Sequence, residues 1–151
     1  MNTISIVPAT PEHVEQLTEF NCRMALETEQ LELDPDTVRR GVGRLIAQPA
    51  NGQYRLAERA GKVVGSLMLT YEWSDWRDGN MWWIQSVYVP PEHRRTGVFS
   101  ELYNHVIELA RQDPDVRCVR LYVEHENHNA QSTYTALGMV ETGYRLYEVG
   151  V

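Results

Sequence analysis

The segment over residues 81–99 places the strongest constraint on the fold. Residues 81–89 are β-favouring and apolar on both faces, which is typical of a strand buried within a sheet. Two prolines stop this strand, and a basic turn containing Gly97 leads into a helix with one apolar stripe. Because a second β-favouring run follows at Val116, the pattern predicts two parallel strands joined by a crossover helix.

The turn between this strand and its helix has the features of an anion site. A helix beginning there presents free backbone N–H groups and the positive end of its dipole. Arg94 and Arg95 add charge-assisted hydrogen bonds that suit a diphosphate, and Gly97 removes a side chain where a ligand approaches the backbone. The residues match neither a P-loop nor a Rossmann fingerprint. The sequence therefore predicts a diphosphate site of another kind.

A second block of residues follows the next strand. On a helix, Ala130, Tyr134 and Leu137 share one face, with Tyr134 about two turns from Asn127. Tyr134 then has two interpretations. One is an aromatic anchor facing the core, and the other is a reacting group in a site that includes the basic turn.

Together the two blocks resemble the GNAT superfamily of N-acyltransferases. The run Arg94-Arg95-Thr96-Gly97-Val98-Phe99 is similar to its motif A, R/Q-x-x-G-x-G/A, with Phe99 at a position that is usually small. The second block is similar to N-x-x-A-x-x-x-Y-x-x-x-G-F, with Met139 in place of Phe. The resemblance implies an acyl-CoA-dependent N-acyltransferase that uses acetyl-CoA as cosubstrate.

The periodicity over the whole chain predicts alternating elements. In chain order these are a strand at 4–7, helices at 10–25 and 34–49, strands at 54–60 and 63–72, a loop at 73–80, a strand at 81–89, a helix at 96–112, a strand at 116–123, a helix at 127–137 and a terminal strand at Met139 to Val149. The resemblance implies an α+β fold with a GNAT-like mixed β-sheet, whose fourth and fifth strands splay apart and which helices flank.

Composition and charge restrict the remaining function classes. With 151 residues, 42% of them hydrophobic, the chain is predicted to form a single domain over residues 1–151, and the resemblance implies that this is an N-acetyltransferase domain. A formal charge of −7 argues against nonspecific nucleic-acid binding. No apolar run reaches the length of a membrane span, and the first residues lack the basic flank and apolar stretch of a signal peptide, so we expect a cytoplasmic protein. The histidines have no metal-ligand spacing, and we predict no metal site.

The resemblance assigns cofactor contacts to both blocks. The backbone of the fourth strand binds the cofactor and polarises the thioester carbonyl, and Tyr134 is the general acid. Asn127 positions either the pantetheine arm or the helix of Tyr134. The implied cofactor-binding set is Val87, Tyr88, Val89, Arg94, Arg95, Thr96, Gly97, Val98, Phe99, Ser100, Asn127, Ala130 and Tyr134.

The general base is less constrained by the sequence. Many relatives carry a carboxylate on the fourth strand, but Gln85 stands near that place, and an amide cannot take a proton. Glu72, Glu27, Glu29 and Glu124 are the alternatives, of which Glu72 is favoured. The predicted catalytic set is therefore Tyr134, Glu72 and Glu29.

An acidic and aromatic segment, Tyr71 to Arg77 together with Trp82-Trp83, has two interpretations. It is either an acceptor pocket, in which carboxylates pair with an ammonium beside indole faces, or a lid or contact between two copies in a homodimer. The pocket interpretation predicts substrate contacts from Glu27, Glu29, Glu72, Trp73, Trp83 and Gln85.

Two functions remain at this point. The leading one is an N-acetyltransferase that moves an acetyl group from acetyl-CoA to a primary amine of a small molecule by direct attack through a tetrahedral intermediate. The alternative is a noncatalytic acyl-CoA-binding sensor or regulatory module, in which Phe99 and Gln85 mark the loss of chemistry.

Overall fold

Strands and helices alternate along the chain in a computed structural model that describes residues 3–151. The strands are β1 (Ile4–Pro8), β2 (Gly52–Arg59), β3 (Lys62–Ser74), β4 (Gly79–Tyr88) and β5 (Val116–Arg120). The α-helices are α1 (Val14–Glu29), α2 (Pro35–Ala47), α3 (Val98–Gln112) and α4 (His128–Ala136). The chain divides into two units, of which the first ends at Leu121 and the second is Tyr122–Val151.

The first unit contains one mixed sheet with the strand order β1-β2-β3-β4-β5. Strands β1 to β4 pair antiparallel, and β5 pairs parallel to β4 after the crossover through α3. The pairing with β5 includes only residues 80–83 of β4, whereas β4 continues to Tyr88. The carboxyl-terminal part of β4 therefore extends past its neighbour. The predicted mixed sheet with diverging fourth and fifth strands is confirmed.

Helices α1 and α2 cover one face of the sheet. Their apolar stripes meet β2 in a cluster of Leu17, Val42, Tyr54 and Leu56. Leu17 and Leu56 are fully buried, and burial of one such side chain contributes roughly 1.5–3 kcal/mol. This cluster fixes the two helices against the sheet.

Helix α3 begins against the other face. Ser66 of β3 pairs with Leu56 and so shares its face, whereas the preceding Gly65 points the opposite way. A Cβ atom added to Gly65 would come within 2.6 Å of Val98 Cγ1. The missing side chain at Gly65 therefore allows the first residue of α3 to pack directly on the sheet.

A β-bulge interrupts β4 near its carboxyl end. Ser66 pairs with Tyr88 but Met68 pairs with Gln85, so β4 contains one extra residue in this interval. Ser86 adopts a left-handed conformation with φ of 52°. Because the extra residue shifts the alternation of the strand, Gln85 and Tyr88 point to the same face. In a regular strand they would point to opposite faces.

The connection between β3 and β4 is shorter than the predicted loop over 73–80. Strand β3 continues to Ser74 and β4 begins at Gly79, so only residues 75–78 form the turn. The guanidinium of Arg117 donates to the carbonyl oxygens of Arg77 and Asp78. These contacts from beyond α3 stabilise the turn, and a local pattern does not reveal them.

The second unit, taken by itself, contains α4. The Asn127 side chain caps this helix by accepting from the Ala130 N–H at 3.2 Å. Gly138, with φ of 94°, ends it in a Schellman motif, because Met139 N–H donates to the Tyr134 carbonyl and Gly138 N–H to that of Thr135. The helix therefore begins and ends where the sequence predicts.

The predicted terminal strand over Met139 to Val149 is not observed within the second unit. The described residues of this unit form no strand. The composition of the segment favours an extended chain, but a strand also requires a hydrogen-bonding neighbour. The other regular element of this unit is a helix, which offers no such edge.

Candidate active site

The turn between β4 and α3 has the backbone conformation of an anion site. Arg95 and Gly97 are both left-handed, with φ of 60° and 86°, and no side chain among the described residues caps α3. By helix geometry, the first N–H groups of α3 have no acceptor within the helix. Arg94, which precedes Arg95, is extended with φ of −69° and ψ of 154°, so the candidate anion site depends on the free N–H groups at the start of α3 and on the positive end of its dipole.

Gly97 is required here for its conformation. A Cβ atom at this position would meet no described protein atom within 4 Å, so crowding by the protein does not explain the glycine. Its φ of 86° lies in the region that L-residues with a side chain avoid. The space beside Gly97 is therefore not filled by described protein atoms, and the predicted ligand contact there stays a prediction.

The two arginines of the turn have different environments. Arg94 Nη2 donates to Glu27 Oε2 at 2.7 Å, and Arg94 Nε donates to the Val89 carbonyl at 2.7 Å. The same guanidinium lies 5.7 Å from the centre of the Tyr88 ring. Arg95 is exposed and has no ion pair among residues 3–151. Arg94 thus orders the turn, whereas Arg95 is available to an anion.

Glu27 accepts hydrogen bonds from both Arg94 and Tyr88. The Tyr88 hydroxyl donates to Glu27 Oε1 at 2.9 Å. Desolvation raises the pKa of Glu27, but the hydrogen bonds from Arg94 and Tyr88 and the charges of Arg94 and Arg23 outweigh it, so the net pKa is lowered. A carboxylate of lowered pKa is a weak base. Glu27 is therefore an ion-pair partner of the turn.

Tyr88 has its side chain buried against α1. The ring is 3% exposed and lies 5.2 Å from that of Phe20 between centroids. Burial raises the pKa of the Tyr88 phenol, and the hydrogen bond and negative charge of Glu27 raise it further. The phenol is therefore neutral and structural. The Tyr88 side chain is thus engaged with α1, and the predicted cofactor contact through its backbone stays a prediction.

The remaining residues of the first cofactor block occupy mixed environments. Val98 is buried, Val87 is half-buried and Ser100 is exposed in the first turn of α3. The Phe99 ring packs against Tyr103 with centroids 6.1 Å apart. The Thr96 hydroxyl donates to the His93 carbonyl at 2.6 Å. Phe99 thus lies along its own helix, and Thr96 closes the turn.

A polar strip crosses β3, β4 and β5 beside the region covered by α1 and α2. It consists of Thr70, Glu72, Trp83, Gln85 and Arg120. Cross-strand pairing puts Thr70, Trp83 and Arg120 on one face. Trp83 Nε1 donates to Glu72 Oε1 at 2.8 Å, and Arg120 Nη1 lies 3.6 Å from the same oxygen. The guanidinium of Arg120 also lies 5.8 Å from the Trp83 ring centre. Glu72 is held in place while its side chain remains 44% exposed.

Gln85 belongs to the same polar strip. Its Nε2 donates to Thr70 Oγ1 at 2.6 Å, and Thr70 pairs with Trp83 across the strands. The predicted acceptor residues Glu72, Trp83 and Gln85 therefore occur together on one face of the sheet.

Two predicted acceptor residues lie apart from this strip. Trp73 follows Glu72 in β3 and so points to the opposite face, where it is 60% exposed. Trp73 and Trp83 therefore lie on opposite faces of the sheet, and Trp73 is not part of the polar strip. Glu29 is the exposed last residue of α1. Since residues two apart on a helix face different directions, Glu29 does not share the environment of Glu27.

The second unit carries the predicted general acid. Tyr134 is half-buried in α4, and burial raises the pKa of its phenol. A phenol of raised pKa remains protonated at neutral pH, as a proton donor must. The Asn127 side chain is engaged in capping α4, and Ala130 supplies the N–H that it accepts. Of the two roles expected for Asn127, the geometry favours positioning the helix of Tyr134.

Residues 15–139 match the sequence model of the Acetyltransferase (GNAT) family. The chain belongs to the GNAT family. Members of this family are enzymes that transfer acetyl groups, use acetyl-CoA and act on amine acceptors. The resemblance found in the two sequence blocks is thereby confirmed.

Individual relatives agree with this assignment. A crystal structure of a possible acetyltransferase from Clostridium difficile 630 has 44% identity and a TM-score of 0.93, covering 98% of this GNAT chain and 97% of that one. Thialysine N-epsilon-acetyltransferase from Bos taurus is 34% identical over 76 residues, which are 50% of this chain and 44% of that protein. A predicted acetyltransferase with acetyl-CoA from Clostridium acetobutylicum has the same fold, with 14% identity, a TM-score of 0.79 and coverage of 97% and 96%.

Several residues around the GNAT site were missed in the sequence. Arg59 contacts Thr96, Arg120 contacts Glu72, and Ser86 forms the bulge. Arg59 and Arg120 are the last residues of the observed strands β2 and β5 and belong to no local motif. Ser86 has no signal beyond its position within a strand. Their roles depend on contacts between distant segments.

The residues that the structure describes contain neither a cluster of metal-ligating side chains nor a membrane-spanning helix. Within residues 3–151, no group of three or more His, Cys, Asp or Glu side chains is arranged to hold a metal ion. In the same residues no helix combines the length and the apolar character needed to cross a membrane.

Proposed function

We propose that this protein transfers the acetyl group of acetyl-CoA to a primary amine of a small molecule by direct attack through a tetrahedral intermediate. The observation that carries the proposal is the left-handed turn at Arg95 and Gly97, which opens onto the uncapped beginning of α3. The backbone donors and the exposed Arg95 fit a diphosphate. The acetyl-CoA named for the Clostridium acetobutylicum protein is consistent with this role.

The acceptor site in this proposal is the polar strip of Glu72, Trp83 and Gln85. A carboxylate and an indole face suit an ammonium ion, and Arg120 keeps Glu72 oriented. Glu72 takes the proton of the ammonium through water, which leaves a neutral amine. Gln85, fixed by Thr70, orients the acceptor by hydrogen bonding.

The reaction then requires one new bond and one broken bond. The amine nitrogen attacks the thioester carbonyl carbon, and backbone groups at Val87 to Val89 polarise the carbonyl oxygen. Collapse of the intermediate breaks the carbon–sulfur bond, and the nitrogen loses one more proton to solvent, which leaves the neutral amide. Tyr134 donates its proton to the departing sulfur and regains one from solvent. No covalent enzyme intermediate is needed.

Binding is the first test of this proposal. Acetyl-CoA and CoA should raise the melting temperature of the purified protein in a saturable way, because they bind the native state, whereas ATP should have little effect. If the melting temperature does not change at high acetyl-CoA concentration, the proposed function is ruled out.

Turnover is the second test. Release of the CoA thiol should be followed with a panel of small primary amines, which includes thialysine because of the partial match to the bovine enzyme. Saturable turnover with one amine supports the transferase. A thermal shift without turnover for any amine in the panel would favour the noncatalytic acyl-CoA-binding module.

The assignments to a single domain and to the cytoplasm remain predictions.

A further inference from the structure

The turn between β4 and α3 that includes Arg94 to Gly97 is called the cofactor turn below. Arg59, the last residue of β2, contacts this turn from a distant part of the chain. Its Nη1 and Nη2 both donate to Thr96 Oγ1 at 3.2 Å, and Nη2 also donates to the Thr96 carbonyl at 3.2 Å. Thr96 Oγ1 in turn donates to the His93 carbonyl. The Arg59 guanidinium therefore hydrogen-bonds both the side chain and the backbone of Thr96, which lies between Arg95 and Gly97.

The charge of Arg59 is not neutralised by the protein. Among the described residues, no carboxylate lies within 4 Å of its guanidinium nitrogens. Its Nε atom is buried and has no hydrogen-bond partner. A partly buried cation without a counter-ion is unfavourable unless a ligand supplies the negative charge. The acceptors it does have, the Thr96 oxygens, belong to the turn assigned to the diphosphate.

The turn also needs an external support. Arg95 has a side chain and yet adopts φ of 60°, a backbone conformation that is strained in an L-residue. Such a residue persists when its surroundings hold it in place. The hydrogen bonds that Arg59 donates to Thr96 restrain the neighbouring Arg95. Loss of these bonds should therefore allow the turn to change its conformation.

We propose that Arg59 is a positioning residue of the acetyl-CoA site, which holds the turn through Thr96 and adds positive charge for the phosphates of the cofactor. This inference rests on the proposed function. It assigns to β2 a role in phosphate recognition that is separate from the arginines of the turn itself. It also predicts that Arg59 matters to the phosphate part of acetyl-CoA and not to the pantetheine part.

The test compares two acetyl donors. S-acetylpantetheine has the thioester and the pantetheine arm but lacks every phosphate of acetyl-CoA. The dissociation constants of both donors should be measured for the wild-type protein, Arg59→Met and Arg59→Lys, with melting temperatures as a check on folding. Arg111→Met is the matched control, since it removes one positive charge near the far end of α3, about 20 Å along the helix from Val98.

Arg59→Met should weaken acetyl-CoA binding about tenfold, the equivalent of one charge-assisted hydrogen bond, and leave S-acetylpantetheine unchanged. Arg59→Lys should recover part of this loss of affinity, because lysine keeps the positive charge but lacks the two terminal nitrogens that donate to Thr96. Arg111→Met should match the wild type. Raising the salt concentration should weaken acetyl-CoA binding less in Arg59→Met than in the wild type.

Equal acetyl-CoA affinity in Arg59→Met and the wild type would overturn the inference, as would an equal loss for both donors. If Arg59→Met does not fold, the two donors should be compared in Thr96→Val. This substitution removes the hydroxyl that accepts hydrogen bonds from Arg59 and keeps the shape of the side chain. Failure of the wild-type protein to bind acetyl-CoA would instead contradict the proposed function.

Discussion

Arg94 Nη2 lies 2.7 Å from Glu27 Oε2, an ion pair that joins the cofactor turn to the last turn of α1. The pair is charged and hydrogen-bonded, and Tyr88 donates to the other oxygen of the same carboxylate. The negative charge of Glu27 thus restrains one of the two arginines of the turn that we propose binds the diphosphate. Arg95, the other arginine, is exposed and has no ion pair among the described residues.

Glu27→Gln should lower the stability of the protein modestly and in a pH-dependent way. Because both partners are partly exposed, the ion pair is worth at most about 1 kcal/mol. Hydrogen bonds from Arg94 and Tyr88 lower the net pKa of Glu27 despite its desolvation. The contribution is therefore complete above the ordinary glutamate pKa and is lost as the pH falls through the lower folded pKa.

The measurement is chemical denaturation of wild type and Glu27→Gln across this acidic range. Glu12→Gln is a control, since Glu12 is exposed in the short turn before α1. A stability difference that persists unchanged below the folded pKa would show that the effect of Glu27→Gln is not electrostatic.

Gly97→Ala should weaken acetyl-CoA binding, and Gly61→Ala should not. Both glycines are left-handed, with φ of 86° and 76°, and an added Cβ meets no described atom within 4 Å at either position. Backbone strain should therefore cost each variant about 1 kcal/mol. Only Gly97 lies in the cofactor turn. Melting temperatures and acetyl-CoA dissociation constants separate the two effects, and equal affinities for both variants would argue against the turn as the binding site.

Glu72→Gln should lower kcat/KM for the amine at least about tenfold, because the amide cannot accept the ammonium proton. The amide oxygen can still accept from Trp83 Nε1, so the local structure is retained. The acetyl-CoA dissociation constant should not change. Steady-state kinetics with the amine found in the screen provide the measurement. Wild-type activity in Glu72→Gln would show that Glu72 is not the general base.

Trp83→Phe should raise KM for the amine, whereas Trp73→Phe should leave the kinetics unchanged. Trp83 lies on the face with Glu72, and Trp73 points to the opposite face. Two exposed tryptophans, Trp73 at 60% in β3 and Trp76 at 92% in the turn after it, suit a contact between two copies. Trp73→Ser with Trp76→Ser should therefore shift any dimer seen by sedimentation toward the monomer. A rise in amine KM in Trp73→Phe would contradict the separation of faces.

Tyr134→Phe should reduce kcat by about a hundredfold or more, as expected on loss of a general acid, and leave acetyl-CoA affinity nearly unchanged. Because burial raises the pKa of Tyr134, the wild type should keep its activity until the pH exceeds the ordinary phenol range. The pH profile of kcat checks both statements. A variant as active as the wild type would leave Tyr134 with a packing role only.

Local features of the site could be predicted from the sequence because their causes lie within a few residues. Asp34 caps α2 by accepting from Thr37 N–H, as its position before proline indicates. Asn127 and Gly138 begin and end α4 in the same way. The basic turn with its left-handed glycine likewise follows from neighbouring residues.

The tertiary structure decided which of these residues meet. Tyr88 and Glu27 are 61 residues apart and Arg94 and Glu27 are 67 apart, so a local pattern could not pair them. The same holds for Arg59 and Thr96, which are 37 apart. The bulge at Ser86 turns Gln85 and Tyr88 to one face, and it appears only when β4 is paired with β3.

The sequence by itself therefore determined the family, the order of the elements through α4 and the chemistry available at the two motifs. It did not determine the separation of Trp73 from Trp83, the partner of Arg94 or the support from Arg59. It also predicted a terminal strand that the second unit does not form. The physical reason is range: caps, turns and periodicity act between neighbours, whereas strand pairing and ion pairs depend on the folded approach of distant segments.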